Sequence, residues 1–289
     1  MQQDQVPNLS GVLFFSLWAI LANIFAKSRN FFRLSSHAAP LPPIRGRQLI
    51  SVFGLYLFFS MVVPIILIKF LGAFTSEQTI LSFVAADWLE LGLSIALFLT
   101  LTLFLYRSNP ELLKKIWKDT SLPHRDKVSK DFLIGASTWL LSFPLIAVVS
   151  QLCDFLLYYY FGVQNYEQVA VRLLKRALES PTALPIVLVL ILVMAPAIEE
   201  FLFRGCLQRW LKHHLGTKAA ILLTALIFAL FHFSFSQGLG NISLILSLFV
   251  FSCYLGFIYE RQASLFASIG LHFTFNATSV LFILFQVDV

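Results

Sequence analysis

Two adjacent carboxylates, Glu199 and Glu200, and a guanidinium, Arg204, interrupt an apolar run that otherwise reads as lipid-compatible helix from Leu184 onward, in the stretch M-A-P-A-I-E-E-F-L-F-R from Met194 to Arg204. Ionisable groups at such a depth are costly unless paired or functional. Glu200 and Arg204 are four residues apart and share a helix face, so they can pair, whereas Glu199 points about 100° around the helix and is left free. Further along, F-A-L-F-H ends at His232 and H-F-T-F-N runs from His272 to Asn276, each within apolar sequence. His272 and Asn276 are again four apart and project from one face. A lone histidine in an apolar helix is ordinarily a packing residue. Ionisable and amide groups on three separate helices at compatible depths, however, are all satisfied by one shared polar cavity.

A carboxylate and an imidazole can together hold and deprotonate a water, and a second imidazole and a carboxamide are suitable donors for the oxygen of a tetrahedral intermediate. That is the equipment of hydrolytic acyl transfer. No serine or cysteine is placed as nucleophile, since Cys206 follows the glutamates without a spaced histidine partner. Two histidines and a carboxylate also match a zinc site of His₂Glu type, with the second glutamate as base. Residue types alone leave an activated water and a metal-bound one both open.

The elements that position these residues are membrane helices. With 58% hydrophobic residues, 12% charged residues and a mean hydropathy of +0.81, the chain falls far from soluble domains, in which about 25% of residues are charged. The net charge of +6 has its use as topological anchoring, so no nucleic-acid partner is expected. Cys153, Cys206 and Cys253 are scattered singly and indicate neither a disulfide framework nor a thiolate metal site. The fold class expected is all-α, a single membrane domain over residues 1–289 with about eight spans near 8–26, 48–71, 89–106, 132–161, a fifth from Ala183 that carries the glutamates, 219–235, 242–259 and 264–286. The first is a retained helix and not a secretory signal, because Asp4 precedes it and Lys27, Arg29 and Arg33 follow it.

Loop charge orients the bundle. The linker with Pro40, Pro42 and Pro43, the stretch from Arg107 to Asp131 and the loop after Arg209 hold most of the Lys and Arg residues and are expected in the cytoplasm. Glu77 and Asp87 mark an outer loop, and a second outer loop with Glu167, Arg172, Lys175, Arg176 and Glu179 forms an amphipathic helix. Pro110 to Lys118 reads as a short helix on the membrane surface, His213 and His214 as solvated interface residues, and Asp154 as a carboxylate near the outer headgroups rather than a catalytic one. At ~1.5 Å per residue, His232 lies roughly 18 Å from the cytoplasmic end of its span and His272 about 12 Å. The fifth helix must therefore run past Arg204 to sink Glu199 toward the histidines, and Phe201, Leu202, Phe203, Cys206, Leu207 and Trp210 allow it.

At these residues the chain resembles a known family. Glu199-Glu200-Phe-Leu-Phe-Arg204 is similar to its E-E-x-x-x-R motif, Phe228-Ala-Leu-Phe-His232 to F-x-x-x-H and His272-Phe-Thr-Phe-Asn276 to H-x-x-x-N. The family is the CAAX prenyl endopeptidase and bacteriocin-processing (CPBP, or Abi) group of intramembrane proteases, and the motif-bearing core spans about 183–285. The resemblance implies an all-helical bundle in which Glu199 and His232 activate the water, His272 and Asn276 form the oxyanion site, and Glu200 and Arg204 support the geometry. The family has been described both as metal-dependent and as glutamate-dependent; the expectation here is a glutamate-activated water with no required cofactor, and a zinc-dependent version would use Glu199, His232 and His272 as ligands. The expected activity is intramembrane cleavage of a peptide or membrane-protein substrate, either CAAX-type processing or bacterial peptide maturation and immunity, in a bacterial inner membrane with lipid as surroundings. The alternative is a membrane scaffold or transporter that uses the same polar cluster for binding.

Overall fold

A computed structural model describes residues 10–34, 43–72, 83–117, 128–163 and 169–287. Pro40 and Pro42 of the first linker, Glu77, Lys118, Arg125, Lys127 and Glu167 lie outside the described residues. Among those described the chain is all helix, with no strand. In order these are α1 (Ser10–Ser28), α2 (46–72), α3 (Phe83–Ser108), the short α4 (Pro110–Trp117), α5 (Val128–Phe161), the short α6 (Val169–Leu178), α7 (Ala183–Leu215), α8 (Thr217–Phe231), α9 (Asn241–Gln262) and α10 (Leu265–Val287). Seven of the described helices are long and apolar enough to cross a membrane, and α8 is an apolar helix of 15 residues. The protein is an integral, multi-pass membrane protein.

The α7 helix is the axis of the bundle. Half of its most apolar window is buried, against 6% for α2 and 11% for α1, whose Leu13, Leu17, Ile20 and Ile24 are exposed and face lipid. Around it α5 packs against α1, α9 and α10. Small residues set the closest approach: a side chain at Gly135 of α5 would strike the Ala267 carbonyl, and one at Gly270 of α10 would strike the Phe132 carbonyl. Lipid supplies no hydrophobic drive between helices, so such intimate backbone contact is what holds α5 to α10, the helix that carries His272 and Asn276.

The segment Pro110–Trp117 is a helix, as its periodicity predicts, but its apolar face is not given to lipid. Leu112 and Ile116 are fully buried, Ile116 packs where Gly205 of α7 has no side chain, and Trp117 meets Phe98, Phe201 and Phe266. Arg209 of α7 fixes it there by donating to the Lys115 carbonyl and to the Tyr259 hydroxyl. Asp87 also departs from expectation. It sits inside α3 rather than in a loop, buried, because Arg176 of α6 pairs with it at 2.6 Å. Asp154 accepts a hydrogen bond from the Ser150 hydroxyl one turn away.

The predicted span 219–235 ends early. Fifteen residues at ~1.5 Å cover roughly 22 Å, short of the ~30 Å hydrocarbon layer, so α8 stops within it at Phe231 and His232 caps the end. The chain then turns through a 3₁₀ segment, Phe235–Gly240, in which Gly238 takes a positive φ of 51°. Buried Asn241 satisfies this turn's backbone: its Oδ1 accepts from the Ser234 N–H at 2.9 Å, and its Nδ2 donates to the Ser234 and Gly238 carbonyls at 2.7 and 2.9 Å. Irregular backbone at membrane depth is tolerated only with such internal partners.

Candidate active site

Glu199 and Glu200 close the segment Ala195–Glu200, which lies between two wide, π-type turns of α7, Leu190–Met194 and Phe201–Gln208. The first wide turn ends with the Ala195 N–H on the Leu190 carbonyl. In that i→i+5 register the next donor is residue 196, and it is proline, which has no N–H. The Ile191 carbonyl is thus left open, and Asn276 Nδ2 of α10 donates to it at 2.9 Å. A defect in one helix becomes the attachment point of another. Asn276 therefore reaches α7 through the backbone rather than through a glutamate.

Glu200 is fully buried and ties α7 to α10. Its Oε1 accepts from Arg204 Nη1 at 2.9 Å, the i,i+4 pair expected from the spacing, and from His272 Nδ1 of α10 at 2.8 Å. Arg204, also fully buried, donates through Nη2 to the Ser252 hydroxyl of α9 at 2.5 Å and to its carbonyl at 3.3 Å, and its guanidinium lies 4.6 Å from the centre of the Phe228 ring. Breaking such a buried pair strands a charge, which makes Glu200 and Arg204 structural before they are anything else.

Glu199 points elsewhere. Its Oε2 is buried with no hydrogen-bond partner among the described residues, and the Nε2 atoms of His232 and His272 stand 3.9 and 3.8 Å from it. These separations are too long for direct hydrogen bonds and suit one water bridging at ~2.8 Å. The partners of the imidazoles assign their tautomers. His232 Nδ1 lies 2.8 Å from the Phe228 carbonyl, which can only accept, and His272 Nδ1 faces the Glu200 carboxylate, so both Nδ1 atoms carry the proton. In the neutral rings each Nε2 then presents a lone pair toward Glu199. The donor types would suit zinc. Glu199, His232 and His272 are the side chains that would hold it.

Of the six residues singled out from the motifs, Glu199, Glu200 and Arg204 of α7, His232 at the end of α8 and His272 of α10 are thus drawn together, while Asn276 of α10 is bonded to the α7 backbone at Ile191. Unforeseen are Ser252, the face of Phe228 and the Ile191 carbonyl. Ser252 is one serine in an apolar helix and carries no signal in its spacing, whereas Pro196 within a helical run marks the backbone gap that Asn276 fills.

Residues 181–278 match the family model described as type II CAAX prenyl endopeptidase Rce1-like. The matched segment contains α7, α8, α9 and all three motifs, and it agrees with the resemblance to the CPBP proteases. No curated protein and no solved structure shows a significant match to the chain.

Proposed function

We propose that the protein is an intramembrane endopeptidase of the CAAX-processing type in which Glu199 activates a water. The observation that carries this reading is the buried, partnerless Oε2 of Glu199 facing two imidazole Nε2 atoms at 3.8 and 3.9 Å. A water held there gives a proton to Glu199 while His232 orients it, and its oxygen adds to the substrate carbonyl carbon. The tetrahedral oxygen takes up the carbonyl electron pair on the side of His272 and Asn276. As the C–N bond breaks, the proton held by Glu199 passes to the leaving amine, giving an amine and a carboxylic acid that ionises by releasing its proton to solvent. His272 keeps its Nδ1–H on Glu200 and turns Nε2 toward this site. No metal takes part in these steps.

The setting proposed is a bacterial cell membrane, with the basic loop that follows α7 in the cytoplasm and peptides or membrane proteins as substrates. The test is to map new peptide termini made by purified protein in vesicles of host membrane, for the wild type, Glu199→Gln and His232→Ala, with and without a strong chelator. Both variants should be nearly inactive although folded, and the chelator should leave the wild type active. Cleavage by folded Glu199→Gln at the wild-type rate would return the protein to the scaffold reading. Stoichiometric zinc lost in His232→Ala would replace the glutamate-activated water by a metal-bound one.

A further inference from the structure

Hydrolysis at Glu199 needs a donor for the developing oxyanion, and most polar hydrogens of the site are already engaged. His232 and His272 spend their Nδ1 protons on the Phe228 carbonyl and Glu200, Arg204 is turned to Glu200 and Ser252, and Asn276 donates to Ile191. Another helix faces the same point. α2 and α7 run antiparallel, as two contacts fix: Gly46 lies against Trp210, its Cβ position 3.9 Å from the indole nitrogen, and the Phe53 ring meets Phe203 at 5.7 Å. Both contacts advance by the same number of residues along the two chains, so one further turn brings Tyr56 level with Glu199 and Glu200.

The faces agree as well as the level. Tyr56 follows Phe53 by three residues and Glu199 precedes Phe203 by four, so each lies on the face that makes the contact. The Tyr56 ring packs 6.2 Å from that of Phe231, the neighbour of His232. Its hydroxyl has no hydrogen-bond partner among the described residues. From this placement we infer that Tyr56 is a further catalytic residue, whose phenolic O–H donates to the oxyanion of the tetrahedral intermediate. The hydroxyl keeps its proton throughout; the carbonyl π pair moves onto the substrate oxygen and returns when the C–N bond breaks. This inference rests on the hydrolytic reading above.

The experiment reconstitutes the purified full chain into host membranes that lack their own copy and follows the new termini that appear with the wild type and not with Glu199→Gln. Tyr56→Phe keeps the ring against Phe231, so its melting temperature should be unchanged while the rate falls ~10²- to 10³-fold, the usual cost of an oxyanion donor. A peptide phosphonate copying a mapped terminus, tetrahedral and anionic at the reacting centre, should bind Tyr56→Phe more weakly by a similar factor. The uncleaved peptide should bind Glu199→Gln and the Glu199→Gln/Tyr56→Phe double variant alike. A packing role would lower the melting temperature or weaken both ligands together. If no termini depend on Glu199, the hydrolytic reading fails and this inference with it. If they depend on Glu199 and Tyr56→Phe produces them at the wild-type rate, the inference alone is overturned.

Discussion

At the scale of single residues, the two neighbouring glutamates differ in what holds them, and the proposed function assigns stability to one and chemistry to the other. Glu200 is the counter-charge of a fully buried Arg204 and the acceptor for His272, whereas Glu199 Oε2 has no partner to lose. Removing one member of a buried pair costs ~3 to 5 kcal/mol, because the other charge is left uncompensated. Glu200→Gln should therefore lower the melting temperature and the folded yield, and Glu199→Gln should leave both near the wild type, as read by thermal unfolding in one detergent. Equal stability of the two variants would show that Arg204 is held by Ser252 and Phe228 alone. This division is already legible in the sequence, because an i,i+4 spacing pairs Glu200 with Arg204 and turns Glu199 away. The orientation of the imidazoles is not, since it is set by what each Nδ1 meets, a backbone carbonyl for His232 and a carboxylate for His272.

At the scale of elements, hydrophobic length and charge predict the helices well, and they fail where backbone departs from regular helix. The α7 helix does run past Arg204 to Leu215, as the depth of the histidines requires, yet nothing in an apolar run announces its wide turns. For the same reason the sequence predicts that α8 continues to residue 235, although it ends at Phe231 and the chain turns through Ser234 to Gly240, held by Asn241. Pro196 is the exception that sequence does display, and its consequence can be measured without any substrate. Asn276→Ala leaves the Ile191 carbonyl unsatisfied and should cost about 1–3 kcal/mol, the usual penalty for an unpaired buried group. In a Pro196→Ala background the restored N–H can reach that carbonyl, so the same Asn276→Ala change should cost clearly less. A double-mutant cycle on unfolding free energy isolates this coupling. Strict additivity would mean that Asn276 does not compensate for the proline.

At the scale of the whole molecule, the charge of the loops and the depth of the site are two views of one orientation. The ends of α1, α3 and α7 and the starts of α2, α5 and α8 carry Lys27 and Arg29, Arg107, Lys212, Arg45 and Arg47, Lys130 and Lys218, all at one side of the bundle. At the other side α6 carries Arg172, Lys175 and Arg176, of which Arg176 is neutralised by Asp87 and Arg172 is held to Ser236. Most of the basic residues at the helix ends thus lie on the first side, and the positive-inside bias predicts that this side faces the cytoplasm. In a background with Cys153, Cys206 and Cys253 replaced by alanine, a cysteine at exposed His214 should be labelled by an impermeant maleimide only when the cytoplasmic face is open to it. One at exposed Glu179 should be labelled from the opposite side in intact cells. Reversed labelling would turn the bundle over, and with it the side from which a peptide approaches Glu199: α8 begins at the basic face and ends inside the membrane at His232, so the site is recessed from that face by the ~22 Å length of α8.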